Sequence, residues 1–291
     1  DEIGICCSSS EAFNLAERAM KLTQTDIVVI NDLDFPAGAT PWLGEHCPAE
    51  VRVWRHRNGV LHVEDLALLL SSRTRLVTVS MVSYVNGFRF DLDEVMDTVQ
   101  RNCGAMVAVD VTQALGRIPL DLSRADLVVS STHKWILGSH GIGLVAVPER
   151  NSERWTVPAG GWYNLENAFD ADIYSGIRHK SGAASFTLGM PNFAAIYAVT
   201  AGMDYIVANT VQKIAEHADP LVQRCIAGLS ELPVRLLTPS NRPLAGIVSF
   251  QHENAARIRH KLHTANIHVM QPADRIRIAL HGYNREADVD R

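Results

Sequence analysis

Residues 106–134 read MVAVDVTQALGRIPLDLSRADLVVSSTHK, and this stretch decides the fold. Met106 to Val111 and Asp126 to Ser130 are near-continuous apolar runs of strand length, and each gives way to polar side chains at its C-terminal end. Outward from it the pattern repeats. Asp91 to Asn102 places Leu92, Val95, Met96 and Val99 at helical spacing, and Cys103-Gly104 ends it. Arg75 to Ser80 predicts a strand, Val63 to Ser71 a helix, and Asp26 to Ile30 and Ile142 to Val147 two more strands. Apolar strands separated by helices predict an α/β architecture, a mainly parallel sheet covered by helices on both faces.

Past about residue 148 the alternation stops. Residues 148–185 are rich in Gly, Trp, Tyr and Asn without a period, and a stretch of that length without pattern is more often functional than accidental. Ala194 to Ala218 predicts helix with a break near Asn209. A second series then follows: strands Val234 to Leu237, Gly246 to Gln251, Ile267 to Met270 and Arg275 to Leu280, with helix Ala255 to Thr264 among them. The division expected is a large domain over residues 1–190 and a smaller C-terminal α/β domain over 205–291.

Composition narrows the function. With 47% hydrophobic and 20% charged residues the chain can bury a large core, and a net charge of -5 disfavours nucleic acid as a partner. No apolar run reaches the roughly 20 residues that span a bilayer. Five Cys, with Cys6 and Cys7 adjacent and Cys47, Cys103 and Cys225 scattered, predict buried or free thiols in a reducing cytoplasm rather than a disulfide framework. The histidines lack HExxH or other metal spacing, so no metal site is expected. Asp1 is not an initiator Met, Asp1 to Ile5 already reads as entry into a strand, and Arg285 to Arg291 reads as a helix beginning and stopping. A chain cut at both ends is expected.

Asp110 and Lys134 each lie at or just past the carboxyl end of a strand, where open α/β sheets bind their ligands. Lysine amines form Schiff bases with carbonyls, and an Asp can keep a pyridinium nitrogen protonated. The plain alternative is a structural Asp beside a loop Lys. Ser131 and His133 add donors suited to a phosphate. Ser8-Ser9-Ser10-Glu11 before the helical run Ala12 to Leu22 provides a capped helix N-terminus that favours an anion.

Asp110-Val111-Thr112-Gln113, Ser131-Thr132-His133-Lys134 and Gly141-Ile142-Gly143 resemble, in order and spacing, the D-x-x-Q, S-x-H-K and G-x-G run of the class V aminotransferases. These are fold type I pyridoxal-phosphate enzymes that include cysteine desulfurases, kynureninase-like enzymes and isopenicillin N epimerase-like proteins. Arg277 to Asn284 resembles the family's C-terminal R-x-S-x-x-x-Y-N pattern, and the likeness runs from Ser8 to Asp290.

The resemblance implies pyridoxal 5'-phosphate as cofactor, bound to Lys134 as a Schiff base, with Asp110 against the pyridine nitrogen and Gln113 at the phenolic oxygen. It implies Ser9, Ser10, Ser131 and His133 at the phosphate, Arg277 at the substrate α-carboxylate and Tyr84 as a further cofactor contact, with Asn86 a pocket candidate. Phe35 stands where desulfurases place a His over the ring, and could stack there or pack in the core. Trp162 could shape the substrate pocket or be a packed loop aromatic. The activity implied is Cα-deprotonation of a small amino acid held as an external aldimine, of aminotransferase type. β-Elimination, epimerisation and a non-catalytic cofactor-binding protein are the alternatives. A homodimer is expected. Gly189-Met190-Pro191-Asn192 replaces the family's G-T-P, so the Thr hydroxyl that reaches a partner's phosphate is missing. No Cys follows Cys225, whereas desulfurases carry a persulfide-forming Cys shortly before the Arg.

Overall fold

The computed structural model describes residues 2–291; Asp1, the first residue of the predicted N-terminal strand entry, lies outside them. The chain runs β1 (Ile3–Cys6), α1 (Ser9–Met20), β2 (Ile27–Asn31), α2 (Pro36–Leu43), β3 (Glu50–Trp54), α3 (Val63–Leu69), β4 (Thr74–Ser80), α4 (Leu92–Asn102), β5 (Met106–Asp110), β6 (Leu127–Ser131) and β7 (Gly143–Ala146). These strands form one seven-stranded sheet in the order β1-β7-β6-β5-β4-β2-β3. Neighbours from β6 to β3 pair in parallel, and only β7 runs antiparallel to its neighbours β6 and β1. The mainly parallel, helix-covered α/β sheet expected from the sequence is therefore present.

The apolar runs follow from burial on both faces. All five residues of β2 and of β5 are buried. Alternation then sorts them: Val28, Ile30 and Ala108 join a core with Phe13, Trp42 and Trp155, while Val29, Val107 and Val109 join a core with Trp54 and Phe88 on the opposite face.

Residues 148–185 contain only short 3₁₀ segments, and α5 (Phe193–Asn209) and α6 (Val211–Ser230) follow. The predicted break falls at Thr210. It takes φ 60°, and its side chain accepts the N–H of Lys213, so one residue ends the first helix and caps the second. β8 (Arg235–Leu236), β9 (Ile247–Gln251), α7 (Ala255–Thr264), β10 (Arg275–Ala279) and α8 (Glu286–Asp290) complete the chain. β8, β9 and β10 make a three-stranded antiparallel sheet with β9 central.

One predicted strand is absent. Ile267 to Met270 makes a single bridge, Met270 with Arg277, because Asn266 turns through a left-handed φ of 60° after α7 and Pro272 cannot donate to a ladder. Two elements carried too little pattern to be predicted. β3 is a half-exposed edge strand, and α2 contains Gly38 and Pro41.

Arg117 ties the two sheets together. It is fully buried, and its Nε donates to the Leu280 carbonyl at 3.0 Å while Nη2 meets Asp219 of α6 at 2.9 Å. Among the described residues no helix is long and apolar enough to cross a membrane.

Candidate active site

The carboxyl ends of β4, β5 and β6, the N-terminus of α1 and the strand β10 enclose a cavity of about 430 Å³, within the usual size of a small-molecule site. Asp110, Gln113 and Lys134 line it together with Ser9, Ser10, Ser131 and His133, where the Ser131 and Ser9 hydroxyls meet, and with Phe35, Tyr84 and Arg277, which are linked through Tyr84. Ten of the twelve residues picked from the sequence thus line one space.

Asp110 is the last residue of β5 and is buried. Its Oδ1 accepts the Thr112 N–H at 2.8 Å, while Oδ2 has no hydrogen-bond partner among the described residues. Burial pushes this carboxyl above its ordinary range, against the opposing pull of the Thr112 hydrogen bond and Lys134. A cationic N–H brought to Oδ2 would favour the ionised form.

Lys134 follows β6 by three residues, on a loop folded back by the Gly138 N–H on the Thr132 carbonyl at 3.0 Å. Among the described residues its amine has neither an ion pair nor a hydrogen bond. Burial and the nearby Arg277 lower its pKa, and Asp110 raises it. The amine is therefore easier to deprotonate than a surface lysine, as a Schiff-base nitrogen must be.

Gln113 is oriented by its neighbour. Its Oε1 accepts the indole Nε1–H of buried Trp135 at 2.8 Å. An indole N–H only donates, so the amide oxygen must face it and the NH₂ group is left for the cavity.

The phosphate end is made by backbone. Ser8 caps α1 and its Oγ accepts the Glu11 N–H at 3.1 Å, while Ala12 N–H bonds the Ser8 carbonyl. The N–H groups of Ser9 and Ser10 remain without an acceptor among the described residues, and the Ser131 hydroxyl meets the Ser9 hydroxyl at 2.8 Å. Gly143 lets this end come close, since a Cβ there would lie 2.6 Å from the Ser8 carbonyl carbon. His133 stacks on His140 at 4.0 Å, and burial with the two neighbouring bases pulls its pKa down to about 4. It is neutral near pH 7 and offers one N–H.

At the mouth, Phe35 is 47% exposed and meets the Tyr84 ring edge-on at 5.0 Å, so it is not a core side chain. Arg277 donates from Nη1 to the Tyr84 carbonyl at 3.0 Å. Two candidates fall elsewhere. Asn86 is a turn residue bonded to the Gly59 carbonyl and the Phe88 N–H, and Trp162 packs against Tyr163 and Phe169 on the irregular stretch.

Asp34 was missed by the sequence reading. It is buried beside Phe35, accepts the Ser80 N–H at 2.7 Å, and is pushed up to about 7, by burial first and by Asp110 among the lesser causes. An acid within an otherwise apolar Leu33–Gly38 stretch was the available signal.

The family model described as Aminotransferase class-V matches residues 1–291. The chain belongs to this family. It is 26% identical over 291 residues to the uncharacterized aminotransferase YcbU of Bacillus subtilis (strain 168), covering 99% of this chain and 76% of that protein. It is 29% identical over 259 residues to a cysteine desulfurase of Salmonella gallinarum, covering 86% of this chain and 62% of that protein, less than two thirds of its length. The apo cysteine desulfurase of Thermococcus onnurineus NA1 superposes with a TM-score of 0.89 at 24% identity, over 99% of this chain and 76% of that one. The cystine C-S lyase C-DES, solved with cysteine persulfide, superposes with a TM-score of 0.88 at 22% identity, over 99% and 79%. These superpositions establish the fold type I architecture.

The family's cofactor is pyridoxal phosphate, and the cavity fits it on the chemistry of its own donors. The unused Ser9 and Ser10 N–H groups suit a phosphate, the free Asp110 oxygen a ring N–H, the Gln113 NH₂ a phenolate, and the unpaired Lys134 amine a carbonyl.

Proposed function

We propose that the protein removes the Cα proton of a small amino acid held at pyridoxal phosphate and carries the reaction on as an aminotransferase. The observation that supports it most is Lys134, a half-buried amine without a partner, facing the same cavity as Asp110 and Arg277. When bound, the cofactor supplies an electron sink for the charge left at Cα. The chain's residues do the rest. Ser9, Ser10, Ser131 and His133 anchor the phosphate. Asp110 Oδ2 would hold the proton at the ring nitrogen, Gln113 would donate to the phenolic oxygen, and Phe35 and Tyr84 would border the ring. Arg277 holds the α-carboxylate, and the C-terminal domain from about residue 205 carries that clamp. Lys134 Nζ takes the Cα proton as general base. Transamination is favoured because it would need no nucleophilic side chain beyond the residues that line the cavity.

A C–S or β-lyase is the second reading, since the relatives named include cysteine desulfurases and the solved neighbours a C-S lyase. Purified protein with cofactor should be yellow, and an amino-acid panel scored for keto acid, sulfide and loss of stereochemistry separates the outcomes. Keto acid formed in step with amino-group transfer supports the first reading; sulfide from cysteine or cystine replaces it with the second.

We expect no persulfide enzyme. A nucleophilic thiol must be accessible and partly ionised. Burial holds Cys6 up at about 12 and Cys225 at about 11, and none of the five thiols lines the cavity. After turnover with cysteine, mass spectrometry should find all five Cys unmodified by sulfur; a persulfide on any of them refutes this.

We also propose a homodimer. Phe169 and Tyr174 on the irregular stretch are 86% and 100% exposed, and Met190, Phe193 and Tyr197 open a second apolar area at the start of α5. A second copy would cover both. Light scattering at micromolar concentration should give twice the chain mass, and a monomer there would count against it. The free thiols and the cytoplasm as compartment agree with each other.

A further inference from the structure

Trp135 sits at the joint between the two sheets and touches both. Its indole Nε1–H ends on Gln113 at 2.8 Å. Its six-membered ring reaches the residue before β9, Gly246, which leaves room: a Cβ there would overlap Trp135 Cη2 and lie 2.8 Å from the Leu280 carbonyl oxygen. His281, just past β10, stacks on the indole at 5.6 Å and 19°, and its Nε2 pairs with the Trp135 carbonyl at 2.8 Å. Both residues are buried, Trp135 at 6% and His281 at 2% exposure. The indole is thus gripped by the three-stranded sheet at one end and sets a cavity side chain at the other.

We propose that Trp135 is a positioning residue that fixes the donor face of Gln113 toward the cofactor's phenolic oxygen, and that Gly246, Leu280 and His281 provide its seat. This rests on the reading of Gln113 given above. A primary amide has a donor end and an acceptor end of nearly equal size, and nothing in its shape prevents a flip. The indole N–H breaks the tie, because only the carbonyl end can accept from it. Without the indole N–H, the amide can turn its oxygen toward the phenolate, where lone pairs repel. Leu280 lies three residues beyond Arg277, just past β10, so the seat of Trp135 and the carboxylate clamp are carried by one short run of chain.

The expected consequence is a pH signature. A donor at the phenolic oxygen draws negative charge away from the neighbouring Lys134 nitrogen, so that nitrogen loses its proton at lower pH. Gln113→Leu should raise the pH midpoint of the visible cofactor band by about one unit, the scale of one hydrogen bond to a charged oxygen. Trp135→Phe keeps the aromatic wedge and removes only the donor. It should raise the midpoint by about half a unit, while adding nothing in the Gln113→Leu background, as expected for two groups acting through one contact. His281→Ala, which removes one wall of the seat, should shift it in the same direction by less. A role in packing alone would lower Tm without moving the midpoint.

The experiment is a spectrophotometric pH titration of the cofactor-loaded single and double variants, with Tm recorded alongside. If Trp135→Phe leaves the midpoint unchanged while Gln113→Leu moves it, or if the two shifts add in full, the proposal is overturned and the cofactor reading stands. If no variant shows a Lys134-dependent visible band, the cofactor reading itself fails and takes the proposal with it. An unchanged midpoint in His281→Ala overturns the seat.

Discussion

Lys134→Ala should abolish covalent attachment of the cofactor and lower turnover by about three orders of magnitude or more, combining loss of the covalent link with loss of a general base, whose removal alone costs roughly 10²–10⁴-fold. Borohydride reduction of the parent followed by peptide mapping should place the cofactor on the peptide containing Lys134, and the variant should give no label there. Cofactor should still bind without the bond, because the phosphate donors of Ser9, Ser10 and Ser131 are untouched. Folding should survive as well. The Lys134 amine has no ion pair or hydrogen bond among the described residues, and its pKa is held down chiefly by burial. A lysine with a depressed folded pKa opposes folding at every pH below its unfolded value of about 10.4, where the unfolded chain binds the proton more readily. Removing it relieves that opposition, so the cofactor-free variant should have a Tm at or above that of the parent at pH 7. Lys134→Arg should be equally inactive, since a guanidinium cannot give up its proton. Label recovered from another lysine of the parent, or wild-type turnover by Lys134→Ala, would sink the assignment.

Much of this site was legible in the chain because parallel sheets concentrate chemistry. Once Met106 to Val111 and Asp126 to Ser130 are read as buried parallel strands, Asp110 and Lys134 must emerge at the same edge, and the polar run after each strand becomes the binding wall. The capping serines were legible for a different reason: Ser8-Ser9-Ser10-Glu11 before an amphipathic run is a local signal, independent of the tertiary fold. The remaining parts depend on contacts between distant residues. Gln113 could be noticed as a polar residue, but not that its oxygen is held by Trp135, 22 residues away. The strand expected at Ile267 to Met270 had the right residues, yet the turn at Asn266 leaves it only one bridge to β10. Asp34 escaped because a single acid among apolar neighbours has no period, and it is held by the Ser80 N–H, which donates to it from 46 positions later. Arg117 is the extreme case: a fully buried guanidinium whose partners, Asp219 and Leu280, lie in the other half of the chain.

Arg277→Ala should leave folding and cofactor colour intact but weaken amino-acid substrates by about 2–5 kcal/mol in kcat/KM, the usual cost of truncating one partner of a buried, hydrogen-bonded charge pair. The strand sets up this separation of roles. Along β10, Ile276 and Ile278 turn into the core of the small sheet, while Arg275 and Arg277 turn to the other face, as the alternation Arg275-Ile276-Arg277-Ile278 predicts. Arg277 is pinned opposite Ser249 of β9 by the ladder, and one N–H of its guanidinium is spent on the Tyr84 carbonyl. The remaining donors border the cavity with no carboxylate from the chain to receive them among the described residues. Burial and the neighbouring Arg275 both depress the Arg277 pKa, so the fold supplies a half-buried cation short of a counter-ion. An incoming α-carboxylate meets a planar fork and relieves that shortage. Arg277→Lys should therefore recover little, because an ammonium offers a point charge and not two parallel N–H groups. The control that isolates the contact is the substrate: amines lacking the α-carboxylate should react equally with parent and variant. Unchanged kcat/KM for every amino acid the parent turns over would remove Arg277 from the site and leave Arg275, over the Tyr84 ring, as the cation to test next.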